Sequence, residues 1–215
     1  NVDFQNNKIS AARIIYDANN SFWNHPGGAV VIESPALANI SSVTFKNDLI
    51  SNSNGKNAAV VVSALKIALQ GVSATGNFGA IGGGCYLHGV QVSINGSAFT
   101  NNVNITTSDG GKPVNSGGGG VAVELTDPGS LLTVSGSSFT NNNLEGFPGG
   151  GLRIFGDTQD IGDILIQDCT FKDNETNMYG GAVAISGFDS VNQVFIAKNR
   201  FETNIAEGSK GGSGI

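Results

Sequence analysis

Three aspartates, Asp157, Asp160 and Asp163, stand three residues apart, and Asp168 and Asp173 flank Phe171. Paired carboxylates of this kind can act as acid and base in glycoside cleavage, or bind calcium through oxygen. Asp157 and Asp160 fall within a short stretch bounded by Gly156 and Gly162, with Asp163 just after it, and the stretch has the composition of a solvated loop. The two histidines, His25 and His88, have no cysteine or carboxylate at ligand spacing, so no metal site is expected. Gly117–Gly120 resembles a phosphate loop in composition, yet no Gly-Lys-Ser/Thr follows. No serine stands in Gly-x-Ser-x-Gly. The residues therefore nominate no catalytic group and no cofactor. A carbohydrate-active enzyme is the least favoured of three readings.

What must position these side chains is a repeat. Its clearest copy is Ile164–Ile185, an apolar alternation, then Phe-x-x-Asn, then Gly-Gly with small and branched residues. Anchored on the aromatic residue, the copies are Phe4, Phe45, Phe99, Phe139, Phe171 and Phe201, with Ala74 degenerate. The turn residue three positions on is Asn7, Asn77, Asn102, Asn142, Asn174 or Asn204, with Asp48 in the second copy. Residues seven and five before the anchor are apolar throughout, as in Ile164 and Ile166, and alternate residues of a strand share one face. Three copies carry Gly71, Gly96 or Gly136 three residues before the anchor, where the alternation slips and the chain must bend.

Repetition at matched offsets predicts an all-β protein, a right-handed, single-stranded parallel β-helix of about seven rungs spanning 1–215. The phenylalanines should stack inside. The asparagines should form a ladder at the turn, tolerating the left-handed conformation there. Residues 8–24 and 103–118 are expected as insertions. The chain opens and closes in mid-repeat, which suggests a segment of a longer protein.

Composition narrows the partners. With a net charge of −6, neither nucleic acid nor an anionic membrane surface is expected, and no stretch is apolar enough to insert in a bilayer. Cys85 and Cys169 fall at inward positions about three rungs apart, too far for a disulfide. Asn104, in the long polar loop, is the candidate glycan acceptor among the sequons, whereas Asn174 should be buried in the ladder.

On the Gly-Gly strand the outward positions are unusually apolar. With the second Gly as reference they are Val30, Ile32, Val61, Tyr86, Arg153, Phe155, Val183 and Ile185. Such a stripe would serve as an interface, unless the insertions fold over it.

The pairing of Phe171–Asn174 with Gly180-Gly181-Ala182-Val183 resembles the repeats of the polymorphic outer membrane proteins. Gly27-Gly28-Ala29-Val30 carries the second motif again, and the copies at Phe99, Phe139 and Phe201 carry the first. The resemblance implies a β-helical segment displayed at the cell surface that mediates adhesion. The leading expectation is thus a non-enzymatic extracellular binding segment whose partner is a protein or glycan surface. The second is a structural segment of an extracellular fibre, with copies of itself as partners.

Overall fold

The structure is a computed structural model. It describes residues 2–5, 8–9, 30–41, 43–46, 49–50, 58–79, 82–105, 117–156 and 160–208. Over these residues the chain is all-β and has no helix.

Each repeat supplies strands to three sheets in the same order. The first sheet takes the Phe strands: Val2–Gln5, Val43–Lys46, Ser73–Thr75, Ala98–Thr100, Ser138–Thr140, Thr170–Lys172 and Arg200–Glu202. The second takes very short strands just after the Asn, from Lys8–Ile9 through Val103–Ile105 to Ile205–Ala206. The third takes the Gly-Gly strand and the strand before the Phe. These run on as one in Val30–Ser41, Val60–Gln70 and Cys85–Asn95. Later they separate, as in Val121–Leu125 and Leu131–Ser135.

All strand pairs among the described residues are parallel, and each motif position pairs with itself in the next repeat. Phe4, Phe45, Ala74, Phe99, Phe139, Phe171 and Phe201 form one unbroken register. This arrangement is compatible with a parallel β-solenoid. The second sheet corrects the expected insertions. Lys8–Ile9 and Val103–Ile105 are paired strands, and 10–24 and 106–116 lie outside the described residues.

The interior follows the repeat. Phe99, Phe139, Phe171 and Phe201 stack face to face, with centroid spacings of 5.1, 4.7 and 5.1 Å. The side chains of Phe4 and Phe45, and all of Asn7, lie outside the described residues. The asparagine ladder runs from Asn77 through Asn102, Asn142 and Asn174 to Asn204. Each Oδ1 from Asn102 onward accepts the backbone N–H and the Nδ2 of the asparagine one repeat before, at 2.8–3.1 Å. Each Nδ2 from Asn102 onward also donates to the carbonyl of the preceding repeat's anchor, Ala74, Phe99, Phe139 or Phe171. The buried amide thus fills its hydrogen-bonding capacity.

The left-handed residue is not the ladder asparagine but the one before it. Asn101, Asn141, Asp173 and Thr203 have φ between 50° and 55°, and Gly76 has 66°. This residue makes the corner, which leaves the next side chain pointing inward. The bend three residues before the Phe is also left-handed, and Asp168 and Lys198 adopt it where other copies have Gly. A non-glycine residue there costs about 1–2 kcal/mol.

A third column lies two residues before the Phe. Ser97 and Ser137 Oγ accept the N–H of Val72 and Ser97. Asn199, which breaks the small-residue pattern, keeps this function: its Oδ1 accepts the N–H of Cys169 at 2.8 Å.

The Gly-Gly motif has a steric basis. Gly118, Gly149 and Gly180 have φ of 78°, 84° and 66°, and a Cβ on Gly118 would lie 1.9 Å from the Val121 carbonyl oxygen. The third position of the motif is Gly84, Gly120 or Gly151, and in a later repeat Ala182, since the residues after them pair as Cys85↔Val121↔Leu152↔Val183.

Candidate functional site

That register corrects half of the expected stripe. In the Gly-Gly-Ala copies the alanine, not the second glycine, holds the position of Gly151. Val183 and Ile185 therefore align with Leu152 and Ile154, and Val30 and Ile32 with Val60 and Val62. All four face the core: Val183 is fully buried, and Val30, Ile32 and Ile185 pack against the central cluster. Ala184 and Ser186 stand outward in their place.

The other four, Val61, Tyr86, Arg153 and Phe155, do face away from the core, but they are covered. Ala58, Val61, Tyr86, Ala122 and Phe155 form a second buried cluster, and Arg153 is 7% exposed. The stripe is therefore not an open apolar face. Within it are polar groups that the sequence did not single out as a set. Tyr86 Oη donates to a Glu124 carboxylate oxygen, and Ser63 Oγ lies 3.2 Å from His88 Nδ1. The Arg153 guanidinium sits over two rings, 4.8 Å from Phe155 and 5.4 Å from Phe147.

Among the described residues the acidic cluster does not assemble into a site. Asp157 lies outside the described residues, as does His25. Asp160 and Asp163 are exposed, and accept from Ser190 Oγ and Asn192 Nδ2, each at 2.6 Å. No group of three or more His, Cys, Asp or Glu is placed to hold a metal among the described residues. Cys85 and Cys169 are free and buried, and burial pushes the Cys85 thiol far above its ordinary pKa.

Asn104 is not a surface asparagine. It lies in the second sheet between Gly79 and Leu144, faces inward and is 0% exposed. A glycan needs its amide in solvent, so this position is excluded in the folded protein. Both its Nδ2 and Oδ1 are buried with no hydrogen-bond partner. An unpaired buried amide costs about 1–3 kcal/mol. Asn104→Leu, which copies Leu144 in the next repeat, is expected to stabilise by about 1–3 kcal/mol. A rise in the urea midpoint at unchanged slope is the measurement.

The open surface of the third sheet lies elsewhere, on the strand before the Phe. Its outward residues line two adjoining grooves of about 370 and 550 Å³ that share Leu131 and Thr133. One extends over Lys66, Gln91 and Ser93, the other over Asp163, Leu165, Gln193 and Phe195. The outward rows keep register along the sheet: Lys66, Gln91, Leu131, Asp163 and Gln193 in one, and Ala68, Ser93, Thr133, Leu165 and Phe195 in the next. Leu131 and Phe195 are 40% and 49% exposed. Amides and hydroxyls thus stand beside apolar side chains in a repeating lattice. The alternation along this strand, with Ser93 between inward Val92 and Ile94 and Thr133 between inward Leu132 and Val134, is the sequence signal for the row.

No helix among the described residues is long and apolar enough to cross a membrane. No family model matches the chain, and no curated protein or solved structure matches it.

Proposed function

We propose that the chain is one continuous right-handed parallel β-helix that acts outside the cell as a non-enzymatic binding segment, with the groove over Gln91, Leu131, Thr133, Leu165 and Phe195 as its contact surface. The groove is the observation that carries this reading. Parallel in-register strands crossing between sheets favour the right-handed sense, as parallel crossovers do generally. The repeat's resemblance to the polymorphic outer membrane proteins supports surface display and adhesion.

The occupant we infer is an extended glycan. Gln91, Gln193, Ser93 and Thr133 offer donors and acceptors to sugar hydroxyls, while Leu131, Leu165 and Phe195 suit the apolar faces of sugar rings. The lining includes one cation, Lys66, and one anion, Asp163, so it favours a neutral chain. Repeats advance by about 4.8 Å per strand, close to the advance of one sugar residue in an extended chain.

A polysaccharide array with the intact protein, followed by titration of each hit, tests this. Phe195→Ala and Thr133→Ala alter surface side chains and should leave folding intact while weakening binding at least tenfold, about 1.4 kcal/mol. Wild-type affinity in both variants would discard the groove as the contact surface.

A second reading, a segment of an extracellular fibre, is favoured by the phenylalanine and asparagine columns, which can extend through any number of repeats. Light scattering that grows with concentration, with filaments in electron micrographs, would support it.

A further inference from the structure

Among the described residues of the covered face, Arg153 is the side chain whose hydrogen bonding is incomplete. Only 7% of it is exposed, and its Nε and Nη1 are buried with no hydrogen-bond partner. No carboxylate among the described residues forms an ion pair with it; the described ion pairs join Glu202 to Lys172 and Arg200. Glu124, whose charge acts on it, instead accepts from Tyr86 Oη.

The surroundings hold the guanidinium in place without satisfying it. The rings of Phe147 and Phe155 take its faces. Gly117 packs directly on its stem, where a Cβ would lie 1.9 Å from Arg153 Cδ. Its neighbours in the same outward row are Ala122 and Ala184, whose side chains carry no hydrogen-bond acceptor. Burial lowers its pKa to about 10, while Tyr179 and Glu124 act to raise it, so the group stays charged at neutral pH. A buried, charged and unpaired guanidinium is costly unless something brings the missing acceptor.

We propose that Arg153 is an anion-binding site that takes a monoanionic oxyanion, a carboxylate or a sulfate ester, on the N–H groups the protein leaves unpaired. A carboxylate matches guanidinium geometry and makes short charge-assisted hydrogen bonds. A single positive charge near Glu124 favours one negative charge over the two of a phosphate monoester. The site is separate from the groove, so it stands or falls independently of the glycan reading.

The test is thermal unfolding and calorimetry of the intact protein with acetate, glucuronate, methyl sulfate, inorganic phosphate and glucose. The first three should raise the midpoint by about 3 °C or more at ten times their dissociation constant. Glucose should not, and phosphate should act more weakly. Arg153→Met removes the unpaired charge but keeps the apolar stem. It is expected to unfold at a higher temperature than the wild type in anion-free buffer, and to lose the response to all three anions. Arg153→Lys, a point charge without the fork, should keep a weakened response. Glucuronate acting where acetate and methyl sulfate do not would point to a sugar ligand as the source of the carboxylate.

Three results would overturn the proposal. One is an equal response of wild type and Arg153→Met to the anions. Another is no response in the wild type. The third is a wild-type response much weaker than that of Asp109→Asn or Asp157→Asn, which would identify an acidic side chain of the chain itself as the partner.

Discussion

Asn142→Leu is expected to cost about 4 kcal/mol or more, a large share of the 5–15 kcal/mol that holds a typical domain together. The leucine is similar in size, so the loss is one of hydrogen bonding. Asn142 Oδ1 accepts Asn102 N–H and Nδ2, and its Nδ2 donates to the Phe99 carbonyl and to Asn174 Oδ1, with all four distances between 2.9 and 3.1 Å. The site is 0% exposed, so no water replaces these partners. Removing the amide strips the Asn102 N–H of its acceptor in the interior, at about 1–3 kcal/mol, and forfeits three further bonds. Hydrogen exchange should show the damage centred on the repeats of Asn102, Asn142 and Asn174, because each repeat contacts only its neighbours. A measured loss below about 1 kcal/mol would mean that the ladder is incidental to stability.

Phe139→Ala tests the neighbouring column. Phe139 is fully buried between Phe99 and Phe171, with interplanar angles of 19° and 4°. A buried Phe→Ala change costs about 3–5 kcal/mol through lost transfer energy and the cavity left behind. Two stacked pairs are lost as well, each worth about 0.5–1.5 kcal/mol beyond area. The parallel strands pin the flanking rings, so the cavity should collapse little. Ala74 occupies the same column one repeat before Phe99, so alanine can be accommodated where the sequence has adapted to it. Phe139→Leu should recover more than half of the loss. Denaturant midpoints of the two variants provide the comparison, and equal stability of Phe139→Ala and wild type would show that the column does not carry the core.

Side-chain period and fixed offset made much of the interior legible in the sequence. The inward positions Ile164 and Ile166, the phenylalanine column and the asparagine ladder all follow from a repeat whose members must meet their own equivalents. Asn174 could be placed inside for the same reason. The short strands after the asparagine escaped because two or three residues carry no measurable period. Asn104 belongs with them: a polar residue beside a polar loop suggests solvent, and only pairing with Gly79 and Leu144 turns it inward.

The stripe shows the limit most clearly. Gly180-Gly181-Ala182 can be aligned with Gly149-Gly150-Gly151 by its glycines or by its third small residue, and a slip of one residue exchanges the two faces of a strand. Local sequence has no means to choose between them. Gly149 and Gly180 share a left-handed φ, and the Gly151 N–H donates to the Ala182 carbonyl, so contact between repeats sets the register. Whether an outward residue meets water or another layer of chain is likewise a property of distant segments. Tyr86 and Phe155 are therefore covered, and Leu131 and Phe195 are open.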